Sequence, residues 1–213
     1  MALKKIGVVG AGTMGNGIAQ AFAQAGFDVV MSDVAQAALD RALATISGSY
    51  DRLIKKEKMT AEQKAAALGR IKTATDLAAL KDSDLIIEAA TENLDLKLKI
   101  FRQLDELAKA DAVIASNTSS ISITKLAAST KRPDKVIGMH FFNPVPMMAL
   151  VELIRGLQTS DQTHAKVEDL ARALGKTPIT VKNNPGFVVN RILCPMINEA
   201  IFVYSEGLAS AEE

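Results

Sequence analysis

The stretch Ile6-Gly7-Val8-Val9-Gly10-Ala11-Gly12-Thr13-Met14-Gly15-Asn16-Gly17 decides how the chain is read. Ile6, Val8 and Val9 have the β-branched character of a buried strand, and Gly7 among them suits close packing against a neighbouring element. The apolar run breaks into glycines and resumes, from Met14 to Ala25, as an Ala-rich helix pattern. Gly10, Gly12 and Gly15 form G-x-G-x-x-G: the first allows a tight turn, the second lets backbone approach a pyrophosphate, and the third permits close strand–helix packing. An anion at that turn, where Thr13 and Met14 lie between the last two glycines, meets unpaired amide donors and the positive end of the helix dipole.

Small-residue turns also join strand to helix without any ligand, so the context decides. Beyond Gly26 a second apolar run, Phe27 to Met31, closes on Asp33, about 20 residues past the glycines as a dinucleotide fingerprint requires. An acid there accepts both ribose hydroxyls. At an effective dielectric of about 20 it repels a 2′-phosphate about 4 Å away by roughly 4 kcal/mol per charge pair, so NAD is expected over NADP. The plain alternative for Asp33 is a helix N-cap, and one residue can serve both ends.

With 213 residues, 48% apolar and 23% charged, the chain has the balance of a globular protein of one large or two small domains. Lys and Arg number 25 against 24 Asp and Glu, so no overall field draws it to nucleic acid or to a membrane surface. Cys194 is the only cysteine, which excludes an internal disulfide and a cysteine-built metal site and fits a reducing compartment. Set between Leu193 and Pro195 with no adjacent base, it reads as a core thiol, and no metal is expected. Lys4 and Lys5 lead into a glycine-broken strand and not a cleavable apolar segment, and no apolar run has the length of a bilayer span. A cytoplasmic location is expected.

Ala37 to Lys56 repeats apolar residues at helical spacing and ends in Lys55, Lys56 and Lys58, after which Thr60 and Gln63 form a capping box opening a second helix that closes near Gly69. This hairpin is longer than a crossover needs; its lysines either meet the phosphates of a large anionic ligand or form a solvated helix end. Ile71 to Ala74 and Leu85 to Glu88 read as strands, Asn93 to Leu107 as an amphipathic helix, and Ala112 to Ala115 as a fifth strand running into Ser116-Asn117-Thr118-Ser119-Ser120. Strands alternating with helices imply a parallel sheet, whose ligands sit beyond the carboxyl ends. Those hydroxyls and the amide then lie on the chemical side, although a plain Ser/Thr helix start is the simpler reading.

Val136 to Phe142 carries His140, and Asn143-Pro144-Val145-Pro146 forces the chain out of the sheet. Leu150 to Ile154 is a further strand with Glu152 inside it. A carboxylate in an apolar run is costly unless paired, an imidazole supplies the pair, and together at strand ends they read as a base and its orienter. His164, in a helix from near Ser160, reads as surface. Thr177 to Lys182 is a last strand, and Asn183-Asn184-Pro185-Gly186 marks the clearest boundary, giving units 1–184 and 185–213. Phe187 to Gly207 is apolar on most sides, with Asn190, Arg191 and Asn198 as polar exceptions and Pro195 as a kink. Such a helix needs cover from a second copy or a following domain.

GAGTMGNGIAQ, ASNTSSISI, GMHFFNPV and NPGFVVNR, in this order, resemble the motifs of the short-chain 3-hydroxyacyl-CoA dehydrogenase family over essentially the entire chain. The resemblance implies an α/β fold with a Rossmann-type, mostly parallel sheet and a helical hairpin insertion after strand 2, followed by the first helix of an otherwise absent all-helical domain. It implies NAD-dependent interconversion of a 3-hydroxyacyl-CoA, in particular 3-hydroxybutyryl-CoA, and the 3-oxoacyl-CoA, acetoacetyl-CoA. By motif match His140 is the general acid/base, Glu152 its orienting carboxylate, and Ser119 and Asn190 hold the substrate oxygen. Gly10, Gly12, Thr13, Met14, Gly15, Asp33, Glu92, Lys97, Asn117, Ser119 and Asn143 fall to the cofactor, and Ser49 and Lys56 to the CoA. The implied partner is a small acyl-CoA, with no nucleic acid and no membrane, and the full-length protein is a homodimer. Two alternatives stand beside this. A non-catalytic NAD-binding structural protein of the crystallin type does not require His140, Glu152, Ser119 and Asn190 together; a lysine-dependent β-hydroxyacid dehydrogenase is disfavoured by the His140–Glu152 pair.

Overall fold

In the computed structural model, which describes residues 3–212, the first strand is β1 (Lys5–Val9) and the helix beyond the glycines is α1 (Thr13–Gln24). Next come β2 (Asp28–Ser32), the helical hairpin α2 (Gln36–Lys55) and α3 (Ala61–Gly69), and β3 (Ile71–Ala74). The alternation continues through β4 (Leu85–Glu88), α4 (Leu94–Leu107), β5 (Val113–Ser116), a short α5 (Ile123–Ala127) and β6 (Val136–Phe141). It closes with β7 (Leu150–Arg155), α6 (Asp161–Ala173), β8 (Thr177–Lys182) and α7 (Val189–Ser205). The capping box of α3 is present in both directions: Thr60 Oγ1 accepts from Gln63 N at 3.2 Å and Gln63 Oε1 from Thr60 N at 2.9 Å.

The strands make one sheet in the order β3-β2-β1-β4-β5-β6-β7-β8, mostly parallel as expected. β1 lies between β2 and β4, so the winding reverses there and the glycine turn leaves the sheet at the crevice where open α/β sheets bind ligands. One junction departs from the parallel rule. β6 and β7 are antiparallel, while β7 and β8 are parallel to each other. The prolines after β6 therefore turn the chain back along the same sheet and do not remove it from the sheet; residues 142–149 are too few for a parallel crossover, which takes a dozen or more. In the resulting register His140 stands directly opposite Glu152.

Strand side chains alternate between faces, so the sheet has two cores. Ile6, Val8, Met31, Ile87, Met139 and Leu153 pack with Ile18, Phe22, Leu39 and Tyr50 of α1 and α2. Ile86, Ile114, Val136 and Ile154 pack with Phe101, Leu104, Ile123, Leu126 and Phe187.

Two expectations are corrected here. Cys194 is exposed and not a core thiol, because α7 buries none of its residues and Ile192, Met196, Ile197, Ile201 and Phe202 stand exposed beside it. His164 is not free surface: α6 packs on β8, and Nε2 lies 2.8 Å from Thr180 Oγ1, leaving the side chain 14% exposed. Among the described residues no helix is long and apolar enough to cross a membrane.

The glycines of the turn differ in what they accommodate. A Cβ at Gly15 would lie 1.8 Å from Gly10 O, whereas one at Gly12 meets nothing within 4 Å. Gly15→Ala is expected to lose about 2–3 kcal/mol in urea unfolding, the scale of an overpacked contact, and Gly12→Ala under about 0.5 kcal/mol. A Gly15→Ala protein as stable as the parent would contradict the packing role of that residue.

Candidate active site

Gly10 takes φ +99°, a conformation that other residues rarely adopt, and a Cβ there would lie 2.7 Å from Ala89 O. Its N–H donates to Ser32 O at 2.7 Å, drawing the turn to the end of β2. α1 starts from Gly12 with no capping side chain, so the amides of Thr13, Met14 and Gly15 are available to an outside acceptor at the positive end of the helix. Asp33 Oδ2 accepts from Ala11 N at 2.8 Å and Oδ1 from Ala35 N at 3.0 Å. The carboxylate is thus tied to the glycine turn, and the N-cap of α2 is Ala35 and not Asp33. Open space at Gly12, helix amides without a capping acceptor and an acid fixed at the end of β2 fit a dinucleotide.

At the ends of β4 and β5 lies a buried carboxylate that the strand pattern does not mark. Glu88, with no solvent exposure, accepts from Lys97 Nζ on both oxygens at 2.8 and 2.6 Å, from Ser116 Oγ at 2.8 Å and from Ala90 N at 2.9 Å. Lys97, read as a cofactor contact, is itself 1% exposed, and its ammonium is engaged by Glu88. Glu92 joins the next two loops: Oε2 accepts from Thr118 Oγ1 at 2.7 Å, and Oε1 from Ser119 N at 2.9 Å and Ser119 Oγ at 3.2 Å. Asn117 Oδ1 accepts from Phe141 N at 2.8 Å, linking this cluster to the residue after His140.

His140 is 6% exposed, and its Nδ1 lies 2.7 Å from Oε2 of the fully buried Glu152. A carboxylate only accepts, so Nδ1 is the donor, and in the neutral imidazole the lone pair lies on Nε2. No described residue hydrogen-bonds Nε2. The other oxygen of Glu152 accepts from Val188 N and Val189 N, each at 3.0 Å, and so serves as the cap that the start of α7 lacks. Asn190 follows in the first turn of α7, half-buried. Two phenylalanine rings touch the imidazole, Phe142 at 4.6 Å and Phe187 at 5.6 Å between centroids.

A cleft of about 770 Å³ runs between α1, the end of α2 and the turn after β6, and brings together Thr13, Ser49, Lys56 and Asn143. Arg52 and Lys58 add two further cations, and the lining has no carboxylate. Ser49 Oγ accepts from Gln20 Nε2 at 2.9 Å, which frees its own proton for donation. Gln20 is anchored by Tyr50, whose phenol donates to Gln20 O at 3.0 Å and is pushed up in pKa by burial. Lys176 braces the opposite wall, donating to Val145 O at 2.6 Å and Met148 O at 2.8 Å; burial pulls its pKa down. The sequence reading missed Arg52 and Gln20. The signal for Arg52 is periodic, since Thr45, Ser49, Arg52 and Lys56 recur at helical spacing along one face of α2. A second cavity of about 770 Å³ lies at the amino ends of the strands among Lys4, Lys5, Asp84 and Lys109, away from the end where such sheets bind ligands.

The family model for the 3-hydroxyacyl-CoA dehydrogenase NAD binding domain matches residues 5–184, and that for the 3-hydroxyacyl-CoA dehydrogenase C-terminal domain matches 186–213. A 3-hydroxybutyryl-CoA dehydrogenase of Clostridioides difficile is 52% identical over 209 residues, covering 98% of this chain and 74% of that protein. One of Bradyrhizobium diazoefficiens is 51% identical over 210 residues, covering 99% and 72%. The crystal structure of (S)-3-hydroxybutyryl-CoA dehydrogenase from Ralstonia eutropha superposes with a TM-score of 0.96 at 66% identity, over 99% of this chain and 75% of that one. The chain belongs to the 3-hydroxyacyl-CoA dehydrogenase family, with NAD as its cofactor.

Proposed function

We propose that the chain interconverts 3-hydroxybutyryl-CoA and acetoacetyl-CoA, with His140 as general acid/base. The observation that carries this reading is the 2.7 Å contact between His140 Nδ1 and the buried Glu152 carboxylate, which leaves Nε2 free to act. Imidazole can both take and return a proton near neutral pH. Nε2 takes the hydroxyl proton as the carbinol carbon is oxidised, and gives it back in the reverse direction. Glu152 fixes the tautomer and stabilises the imidazolium that forms. Asn190, and Ser119 once its hydroxyl turns from Glu92, donate to the substrate oxygen as negative charge develops there, a contribution of about 3–4 kcal/mol per donor in comparable oxyanion sites.

Bound NAD supplies the hydride acceptor, and NADH the donor in reduction. Gly10, Gly12, Thr13, Met14, Gly15 and Asp33 hold its adenosine and pyrophosphate portion; Glu92, Asn117, Ser119 and Asn143 complete the contacts, with Lys97 acting through the Glu88 ion pair that braces these loops. Ser49 and Lys56 receive the CoA, a role supported by the cationic lining of the cleft. The substrate is supported by the relatives from Clostridioides difficile and Bradyrhizobium diazoefficiens, which are named for 3-hydroxybutyryl-CoA. Residues 1–184 make the NAD-binding domain and 185–213 begin a helical domain, a division supported by the two family models meeting there. The exposed apolar flank of α7 calls for cover by a second copy or by further helices, the homodimer is what the family resemblance implies, and the single cysteine supports a cytoplasmic location.

The full-length protein is expected to oxidise NADH on addition of acetoacetyl-CoA. His140→Gln should slow this by about 10²–10⁴-fold while NADH still binds in a fluorescence titration, and unchanged turnover would remove His140 from the mechanism. Val34 is 94% exposed beside Asp33, so an arginine fits there, and Asp33→Ala with Val34→Arg should shift preference towards NADPH. A parent that already prefers NADPH would contradict the ribose assignment. Lys56→Glu should raise KM for acetoacetyl-CoA about tenfold and leave NADH affinity intact, as expected for one phosphate contact; an unaltered KM would take Lys56 out of the CoA site.

A further inference from the structure

We propose that Phe187 is a positioning residue for His140: its ring holds the imidazole with Nδ1 on Glu152 and keeps water from that hydrogen bond. The proposal rests on the acid/base reading of His140.

Phe187 is 3% exposed, and its ring meets the imidazole in a T-shaped arrangement, 5.6 Å between centroids and 62° between planes. Its backbone is unusual for a bulky residue. φ is +50°, directly after Gly186 at +74°, so two successive left-handed residues turn the chain from β8 into α7. Glu57, the other non-glycine residue with positive φ among the described residues, ends a helix on the surface, where that conformation is common. Phe187 has no such excuse, and a strained backbone persists only where its surroundings hold it.

Here the surroundings are the acid/base pair. The same turn that carries the ring to His140 brings the next two amides, Val188 N and Val189 N, to Glu152 Oε1. Phe187 N donates to Asn184 O at 3.1 Å, and Arg191 N to Gly186 O at 3.1 Å, closing the turn on itself. Filling the core requires only an apolar side chain. An aromatic ring against imidazole adds a preferred mutual orientation, and excluding water strengthens the buried hydrogen bond beside it.

The test compares Phe187→Leu and Phe187→Met, which stay apolar and lose the ring, with Phe187→Tyr, which keeps it, all in the full-length protein. In the Leu and Met variants kcat for acetoacetyl-CoA reduction is expected to fall about tenfold, or ~1.4 kcal/mol, the upper range of one aromatic pair, with KM for both substrates within about twofold. The Tyr variant keeps most of its kcat. Nitrogen-15 spectra of labelled histidine should report a single Nδ1–H tautomer for His140 in the parent and Tyr proteins, and a mixture in the Leu and Met proteins. The spectrum needs no turnover, so an inactive parent whose tautomer is lost in the Leu variant sinks the acid/base reading and sustains the positioning role. An unchanged tautomer in the Leu and Met variants overturns the proposal. So does an active parent whose kcat survives both substitutions, or a Tyr variant as impaired as the Leu one.

Discussion

Glu152 has no solvent exposure, and much of the structure follows from what that carboxylate needs. Removing such a group from water costs several kcal/mol unless donors replace the water it loses. Three donors do so: His140 Nδ1 on one oxygen, and the N–H groups of Val188 and Val189 on the other. The first requires one register of β6 against β7, because a slip of one residue would send His140 to the opposite face of the sheet. The second determines where α7 starts, and there the negative charge also lies at the favourable end of the helix dipole. Strand pairing and helix position are thereby set by one side chain.

Glu88, at the end of β4, repeats the burial with a different consequence. Its donors are an ammonium, a hydroxyl and a backbone amide, and the ammonium of Lys97 is as enclosed as the carboxylate it meets. Breaking such a pair on one side typically costs about 3–5 kcal/mol, so the cluster holds the loops after β4 and β5 firmly. Those loops present Glu92, Asn117 and Ser119. The two buried acids therefore differ in what they are attached to. Glu88 ends in a closed ion pair, whereas Glu152 is joined to a ring whose second nitrogen has no hydrogen-bond partner among the described residues and so can exchange a proton with a bound molecule.

Elements whose burial follows local pattern are legible in the sequence. β3, β4 and β8 begin and end where the segments Ile71 to Ala74, Leu85 to Glu88 and Thr177 to Lys182 read as strands, and Thr60 with Gln63 marks the start of α3. What escapes depends on a partner elsewhere in the fold. The direction of β7 is a property of its pairing with β6, although the short 142–149 connection carried the signal. Glu88 looks like an ordinary strand end until Lys97 is brought onto it by α4, and Lys97 has no mark that separates a strut from a ligand contact. Cys194 sits among apolar neighbours that suggest a core, but burial is decided by what packs on α7. The His140–Glu152 contact is legible for the opposite reason, since a carboxylate inside an apolar strand requires a partner and only a few side chains can provide one.

The two halves of the site are built from different materials. At the glycine turn the groups that face a ligand are backbone amides, held in place by α1, the strand order and the bond from Ala11 N to Asp33. The His140–Glu152 half is made of side chains that depend on a third element. α7 has no capping residue of its own and buries none of its side chains, so its attachment to the sheet is its first turn, through Glu152 and the Phe187 ring. Swinging that helix away would break two backbone N–H hydrogen bonds to a buried carboxylate, each worth about 1.5–3 kcal/mol as a hydrogen bond to a charged group. The oxygen losing them is covalently tied to the one that orients His140. The imidazole and the turn bearing Asn190 are therefore coupled, and any contact that stabilises the position of α7 also stabilises the geometry of the His140–Glu152 pair.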